Sequence, residues 1–86
     1  MRIFAYERFR ACYQRLPSSI QRKIDKQLTR LTQDQRHPSL QVKRVRGTRD
    51  VWEARVDLHY RMTFERIGDA LYLRVVGNHD DVLRNP

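Results

Sequence analysis

Two segments near the middle of the chain alternate apolar and polar residues one by one: Val51-Trp52-Glu53-Ala54-Arg55-Val56-Asp57 and Tyr60-Arg61-Met62-Thr63-Phe64-Glu65. Strict alternation marks strands with one buried face. Only Leu58 and His59 separate the two segments. So short a connection joins antiparallel neighbours. Placing Trp52, Ala54, Val56, Tyr60, Met62 and Phe64 on a common face sets Val56 opposite Tyr60. The same register sets Arg55 opposite Arg61 on the other face. A slip of one residue would turn every apolar side chain into water, so the pattern itself fixes the pairing. Like charges directly across a strand pair are destabilising. The hairpin therefore carries either a site for an anion or an unfavourable contact relieved by neighbours.

The pattern extends in both directions. Gly68-Asp69 is a two-residue hairpin signal, best suited to a type II′ turn with Gly first. It pairs Ile67 with Ala70, Phe64 with Leu73 and Met62 with Val75, and Leu71 joins the inward face. Upstream, Leu40 to Arg46 reads as a basic strand that ends at Gly47. Met1 to Ala5 is a short strand. Between these lie two amphipathic helices. Phe9, Cys12, Tyr13 and Leu16 share one face of the first, which spans Tyr6 to Leu16. Ile20, Ile24, Leu28 and Leu31 form the stripe of the second, whose Gln/Lys/Arg-rich face is expected in solvent. Ser18 and Gln21 have the spacing of a capping box at its start. Arg36-His37-Pro38-Ser39 ends it, because the residue before proline avoids the helical region.

The expected fold is α+β: an N-terminal strand, a helical hairpin, then three to four antiparallel strands forming one twisted sheet with the helices on one face. At 86 residues the chain is a single domain, residues 1–86. The charge balance narrows the function classes. There are 18 Lys+Arg against 10 Asp+Glu, a net charge of +8, and the pI is near 10.6. That surplus suits a polyanionic partner such as RNA, DNA or an acidic protein segment. A single cysteine, Cys12, excludes an internal disulfide framework and fits a reducing cytoplasm. Its place on the apolar stripe makes it a core residue rather than a nucleophile. No apolar run is long enough to span a membrane. His37, His59 and His79 share no ligand spacing and have no Cys partners, so no metal or cofactor is expected.

The face left uncovered by the helices would carry Glu53, Arg55 and Asp57, then Arg61, Thr63 and Glu65, then Tyr72, Arg74 and Val76. Lys43, Arg44 or Arg46 would border it. Convergent guanidiniums suit a phosphodiester, because the planar fork of arginine offers paired donors to phosphate oxygens. His79 adds a side chain of the type that exchanges protons near neutrality. His59, in the expected loop, reads as a solvated turn residue. Asp80 and Asp81 either cap a terminal turn or orient His79. A purely structural account competes with the phosphate site. Arg61 has Glu53 and Asp57 as diagonal neighbours, and Arg74 has Thr63 opposite and Glu65 nearby. An ordinary surface ion network would absorb these arginines.

The ordered set carries a resemblance. His37-Pro38-Ser39-Leu40 follows the helical hairpin and precedes the basic strand. Val51-Trp52-Glu53-Ala54-Arg55-Val56, Tyr60-Arg61-Met62-Thr63-Phe64 and Val75-Val76-Gly77-Asn78-His79-Asp80-Asp81-Val82-Leu83 come after it. Over essentially its whole length the chain resembles the RelE/ParE superfamily of toxins from bacterial type II toxin–antitoxin modules. The resemblance implies a cytoplasmic toxin held by a cognate antitoxin. In the RelE-like branch, which is favoured, it implies metal-independent cleavage of mRNA on the ribosome and arrest of translation. There the 2′-hydroxyl attacks the adjacent phosphate. Arg61 would hold the scissile phosphate with Arg55 beside it, and His79 would be the general acid. Lys43, Arg44 and Arg46, with Arg74 and Tyr72, would bind RNA. The ParE-like branch implies poisoning of DNA gyrase instead, and a catalytically inactive binding module is the remaining alternative. Two departures stand out. Leu83 occupies the place where many nuclease members have an aromatic residue, which removes a platform for base stacking. There is also no clear counterpart of the glutamate base used in one subfamily.

Overall fold

A computed structural model describes all residues, Met1–Pro86. Strand β1 (Arg2–Ala5) leads into helix α1 (Glu7–Arg15) and then helix α2 (Ser18–Gln33). A single 3-10 turn, Pro38–Leu40, precedes β2 (Lys43–Arg44), β3 (Val51–Arg55), β4 (Tyr60–Ile67) and β5 (Ala70–Asn78). A short helix α3 (His79–Arg84) closes the chain. The five strands form one sheet in the order β1-β5-β4-β3-β2. β2 to β5 pair antiparallel, and β1 pairs parallel to β5. The sheet is therefore mixed, because the helical hairpin carries the chain across it before β1 finds its partner.

The helical hairpin lies on the apolar face. Phe9 of α1 with Ile24 and Leu31 of α2 meets Ala54, Val56, Met62, Phe64, Leu71, Leu73 and Val76 from the strands, and Leu40 plugs one end. Cys12 packs half-buried at the edge of this core, as its stripe position implied. Pro17 forces Leu16 into an extended conformation and so ends α1. The expected capping box does not form. Pro17 is the residue before the helix, no side chain caps it, and Gln21 instead donates to the Tyr13 carbonyl across the hairpin (2.8 Å). The Gln/Lys/Arg face is not wholly solvated either, since Gln27 is buried.

The central register is the one dictated by alternation: Arg55 pairs with Arg61 and Ala54 with Met62. The II′ signature also holds. Ile67 pairs with Ala70, Gly68 has φ +59°, and Asp69 keeps a negative φ. The pairing changes halfway along β4. Phe64 faces Leu73 as expected, but Thr63 faces Val75 and Met62 faces Val76, so Arg74 is an extra residue, a bulge. The expected Met62–Val75 pair is thus replaced by Met62–Val76. Val76 enters the core instead of the open face, and Arg74 does not sit opposite Thr63. The basic segment is shorter than expected. Leu40 belongs to the 3-10 turn and Gln41 adopts a left-handed φ of 45°. Only Lys43 and Arg44 pair with β3, after which Thr48 Oγ bonds the Val45 carbonyl and closes the turn at Gly47.

The second face is not fully bare. Helix α3 packs on β4 and β5. Val82 is buried and comes within 3.6 Å of where a Cβ on Gly77 would lie. Val75, Thr63 and Glu53 are buried as well. Beyond the helix, the Pro86 main-chain oxygen accepts from Thr63 Oγ (2.9 Å) and Arg74 Nε (3.0 Å). The C-terminal segment therefore divides this face in two.

Candidate nucleic-acid interface

At one end of the divided face Arg55, Arg61 and Gly77 lie side by side on β3, β4 and β5. Arg55 is half-buried and has no ion-pair partner. Arg61 is held by the loop that precedes it. Its Nη1 donates to the carbonyls of Asp57 (2.7 Å), Tyr60 (3.0 Å) and Leu58 (3.5 Å). All three contacts fall on one nitrogen, so Nε and Nη2 keep their donors for a ligand. The diagonal carboxylates of Glu53 and Asp57 do not take the guanidinium. Main-chain carbonyls fix it without cancelling its charge.

Asp57 explains why the loop can do this. Its Oδ1 accepts from the amides of His59 and Tyr60, both at 2.9 Å, in the manner of an Asx turn. Its Oδ2 accepts from Lys23 Nζ on α2 at 3.0 Å. Burial alone would raise this carboxyl. The bonds from Lys23 and the two amides outweigh burial and hold the pKa below the ordinary 3.8. Asp57 thus turns toward the helical hairpin and not onto the open face. Gln27 plays the matching part for β3. Its Nε2 donates to the Arg55 carbonyl (2.8 Å) and to the Ser39 carbonyl (3.3 Å), while Oε1 accepts from Arg30 (3.1 Å). Neither positioning residue was singled out from the sequence. The Asx signal, an aspartate three residues before the start of a strand, was there to be read.

His79 opens α3 at the same end. Its amide donates to the His59 carbonyl (2.8 Å), two residues beyond the Arg61–Gly77 pair. Asn78 caps the helix by accepting from the Asp80 amide, and Asp80 Oδ1 lies 3.3 Å from His79 Nδ1. Asn78 rather than Asp80 is thus the cap, and the exposed Asp80 carboxylate lies beside the imidazole. Arg55, Arg61 and His79 are brought to one end of the sheet.

The other expected residues lie elsewhere. Lys43 sits across from Glu53 on the open side, with Nζ 3.9 Å from its carboxylate, whereas Arg44 sits across from Trp52. Both, with Arg46, line a crevice of about 340 Å³ beside Leu83 of α3. Tyr72 and Arg74 lie beyond the C-terminal segment. Four residues of β5, one of them the bulge, lie between Tyr72 and Gly77, whose partners Glu65 and Arg61 are four steps apart on β4, roughly 13 Å of strand. Arg74 is paired with Glu65 at 2.6 Å, as the ion-network reading of this arginine expected.

A mixed sheet under a helical hairpin in this strand order is a toxin fold of the RelE/ParE type. The chain belongs to the ParE-like toxin domain family, whose model matches residues 18–81. No curated protein matches its sequence. Among solved structures it is similar to a YoeB/ParE toxin from Agrobacterium tumefaciens, with 15% identity over 92% of this chain and 99% of the other and a TM-score of 0.75. YafQ from Escherichia coli has 11% identity, 95% and 98% coverage and a TM-score of 0.79. In the RelB–RelE antitoxin–toxin complex from Methanococcus jannaschii the corresponding values are 18%, 96% and 99%, and 0.76. These likenesses establish the fold. No helix is long and apolar enough to cross a membrane.

Proposed function

We propose that this toxin domain is a metal-independent endoribonuclease that cuts mRNA on the ribosome and so stops translation. The observation that carries the reading is the Arg55–Arg61 pair, with Arg61 anchored through a single nitrogen and its remaining donors unspent. Cleavage by the neighbouring 2′-hydroxyl builds charge on the phosphorus oxygens. A guanidinium fixed before reaction, as Arg61 is, with a second beside it, is the feature that lowers such a barrier. The 2′-hydroxyl releases its proton to solvent, with no side chain assigned as its base, while His79 passes a proton to the departing 5′-oxygen, leaving a cyclic phosphate. Lys43, Arg44 and Arg46 hold the RNA backbone along the β2 edge. The partner that restrains the domain is an antitoxin with an acidic segment, which works in the cytoplasm and whose grip weakens as salt rises.

The test is in vitro translation followed by primer extension on a reporter mRNA. The wild-type domain truncates the message, and Arg61→Ala and His79→Ala each reduce cleavage by about 10²-fold or more. Cleavage that survives both substitutions refutes the assignment. Uninhibited translation of an intact message favours the gyrase reading instead. That reading draws on the ParE-like family model and on Leu83 in the place of an aromatic, and it predicts cleaved plasmid in a gyrase assay.

A further inference from the structure

The far end of the open face holds a feature the proposed chemistry does not use. Phe4 of β1 and Tyr72 of β5 are stacked, with centroids 5.0 Å apart and planes 20° apart, and Tyr6 leans on Tyr72 at 5.9 Å. Phe4 and Tyr6 remain 40% and 42% exposed. In a protein this small, large rings are normally consumed by the core. Here three rings from two parallel strands and the following loop share a solvent-facing patch. Arginines border it. Arg2 lies over the Phe4 ring at 5.3 Å, and Tyr6, Arg8 and Arg74 line a pocket of about 230 Å³. Arg74 is bonded to Glu65 at 2.6 Å, which offsets its charge. Arg8 is held by the Asn85 carbonyl at 2.7 Å, so its charge is positioned but not neutralised.

Exposed rings interleaved with fixed guanidiniums fit a ligand with flat apolar faces joined by anionic links. Single-stranded nucleic acid has that chemistry, whereas an acidic peptide would use the arginines and leave the ring faces unmatched. We propose that the Phe4–Tyr72 stack, with Tyr6, is a platform for unpaired bases of single-stranded RNA, and that Arg8 takes an adjoining phosphate. The platform lies roughly 13 Å along the sheet from Arg61. It therefore engages nucleotides flanking the bond to be cut, and it supplies the stacking surface that Leu83 does not. This inference rests on the RNA reading of the Arg55–Arg61 end.

The experiment measures anisotropy of a fluorescein-labelled ten-nucleotide RNA of mixed sequence, single-stranded and annealed to its complement, across a salt series. Phe4→Ile with Tyr72→Ile keeps apolar bulk and strand preference but removes the ring faces. It weakens single-strand binding about tenfold or more with an unchanged salt slope, while Tyr72→Phe binds as wild type. Arg8→Ala weakens binding and flattens the salt slope by a little under one. If the double variant binds as tightly as wild type while Arg61→Ala binds poorly, the platform is refuted and the RNA reading survives. If the wild-type domain binds neither form of RNA at low salt, both fall. A second measurement avoids substitution. Photo-crosslinking the unaltered domain to 5-iodouridine RNA places adducts on Phe4, Tyr6 or Tyr72, and adducts confined to residues 43–61 overturn the inference.

Discussion

Asp57 offers the sharpest test of how the arginine end is built. Its carboxylate receives two amides at 2.9 Å and Lys23 at 3.0 Å, and its own carbonyl holds Arg61. Replacing Asp57 by Asn keeps an oxygen for the two amides but removes the charge. The Lys23 pair is partly solvated, with side-chain exposures of 53% for Lys23 and 21% for Asp57, so it contributes well under 1 kcal/mol after screening, roughly 0.5. Charge-assisted amide bonds are about twice as strong as neutral ones. Their weakening adds roughly another 0.5 kcal/mol, which puts Asp57→Asn at about 1 kcal/mol. Asp57→Ala loses the turn itself and costs about 2 kcal/mol. The sign of the pH dependence follows from the lowered pKa. The folded state binds this proton more weakly than the unfolded state, so the stabilisation is complete above about 3.8 and is lost as pH falls through the lower folded value. Urea unfolding of wild type and Asp57→Asn at neutral pH and near pH 2.5 reads this directly. The gap should be about 1 kcal/mol at neutrality and close to nothing in acid. A gap that is the same at both pH values, or absent at neutrality, would show that the carboxylate does not organise this loop.

Other substitutions test separate parts of the frame. Gln27→Leu leaves the Arg55 and Ser39 carbonyls without a donor in a buried setting and should lower urea stability by about 1–3 kcal/mol. A smaller loss would mean water replaces the amide. Gly68→Ala meets nothing within 4 Å but must hold φ +59°, so it should cost about 1–2 kcal/mol in thermal unfolding. Gln41→Gly, at φ 45°, should instead be neutral or stabilising. Arg66, 4.3 Å over the Trp52 ring, should lose about 0.5–1 kcal/mol on change to Ala, with a shift in tryptophan fluorescence.

The strands that alternate cleanly were the ones legible in the sequence. Trp52, Ala54, Tyr60, Met62 and Phe64 fall on one face, so the Arg55–Arg61 pair follows from arithmetic, whereas the burial of Glu53 and Thr63 on the other face does not. Val75-Val76 breaks the alternation, and two adjacent apolar residues do not say which one faces the helices. The answer depends on α3, whose six residues are too few for a periodic signal. The basic segment was over-read because its composition suits a strand throughout, whereas the left-handed Gln41 and the turn at Gly47 confine pairing to two residues. Gln27 looked like one of several exposed glutamines. Only the third dimension shows that it faces a strand's free carbonyl. The Phe4, Tyr6 and Tyr72 patch was hidden for a similar reason, since the parallel pairing of β1 with β5 is a long-range fact that no local pattern carries.

The extra residue at Arg74 has a consequence for how the chain tolerates change. Ahead of it β5 is lined on one side by the helical hairpin, and after it the strand is sandwiched between two layers. Removing Arg74 would straighten the strand without changing the pairs that follow, because Leu73 and Val75 already face Phe64 and Thr63, which are neighbours on β4. The loss would fall on the Glu65 ion pair and on one of the two anchors of Pro86, while Gly77 would still face Arg61 and His79 would still meet the His59 carbonyl. A single deletion would therefore loosen the C-terminal strap and leave the histidine end of this face in place.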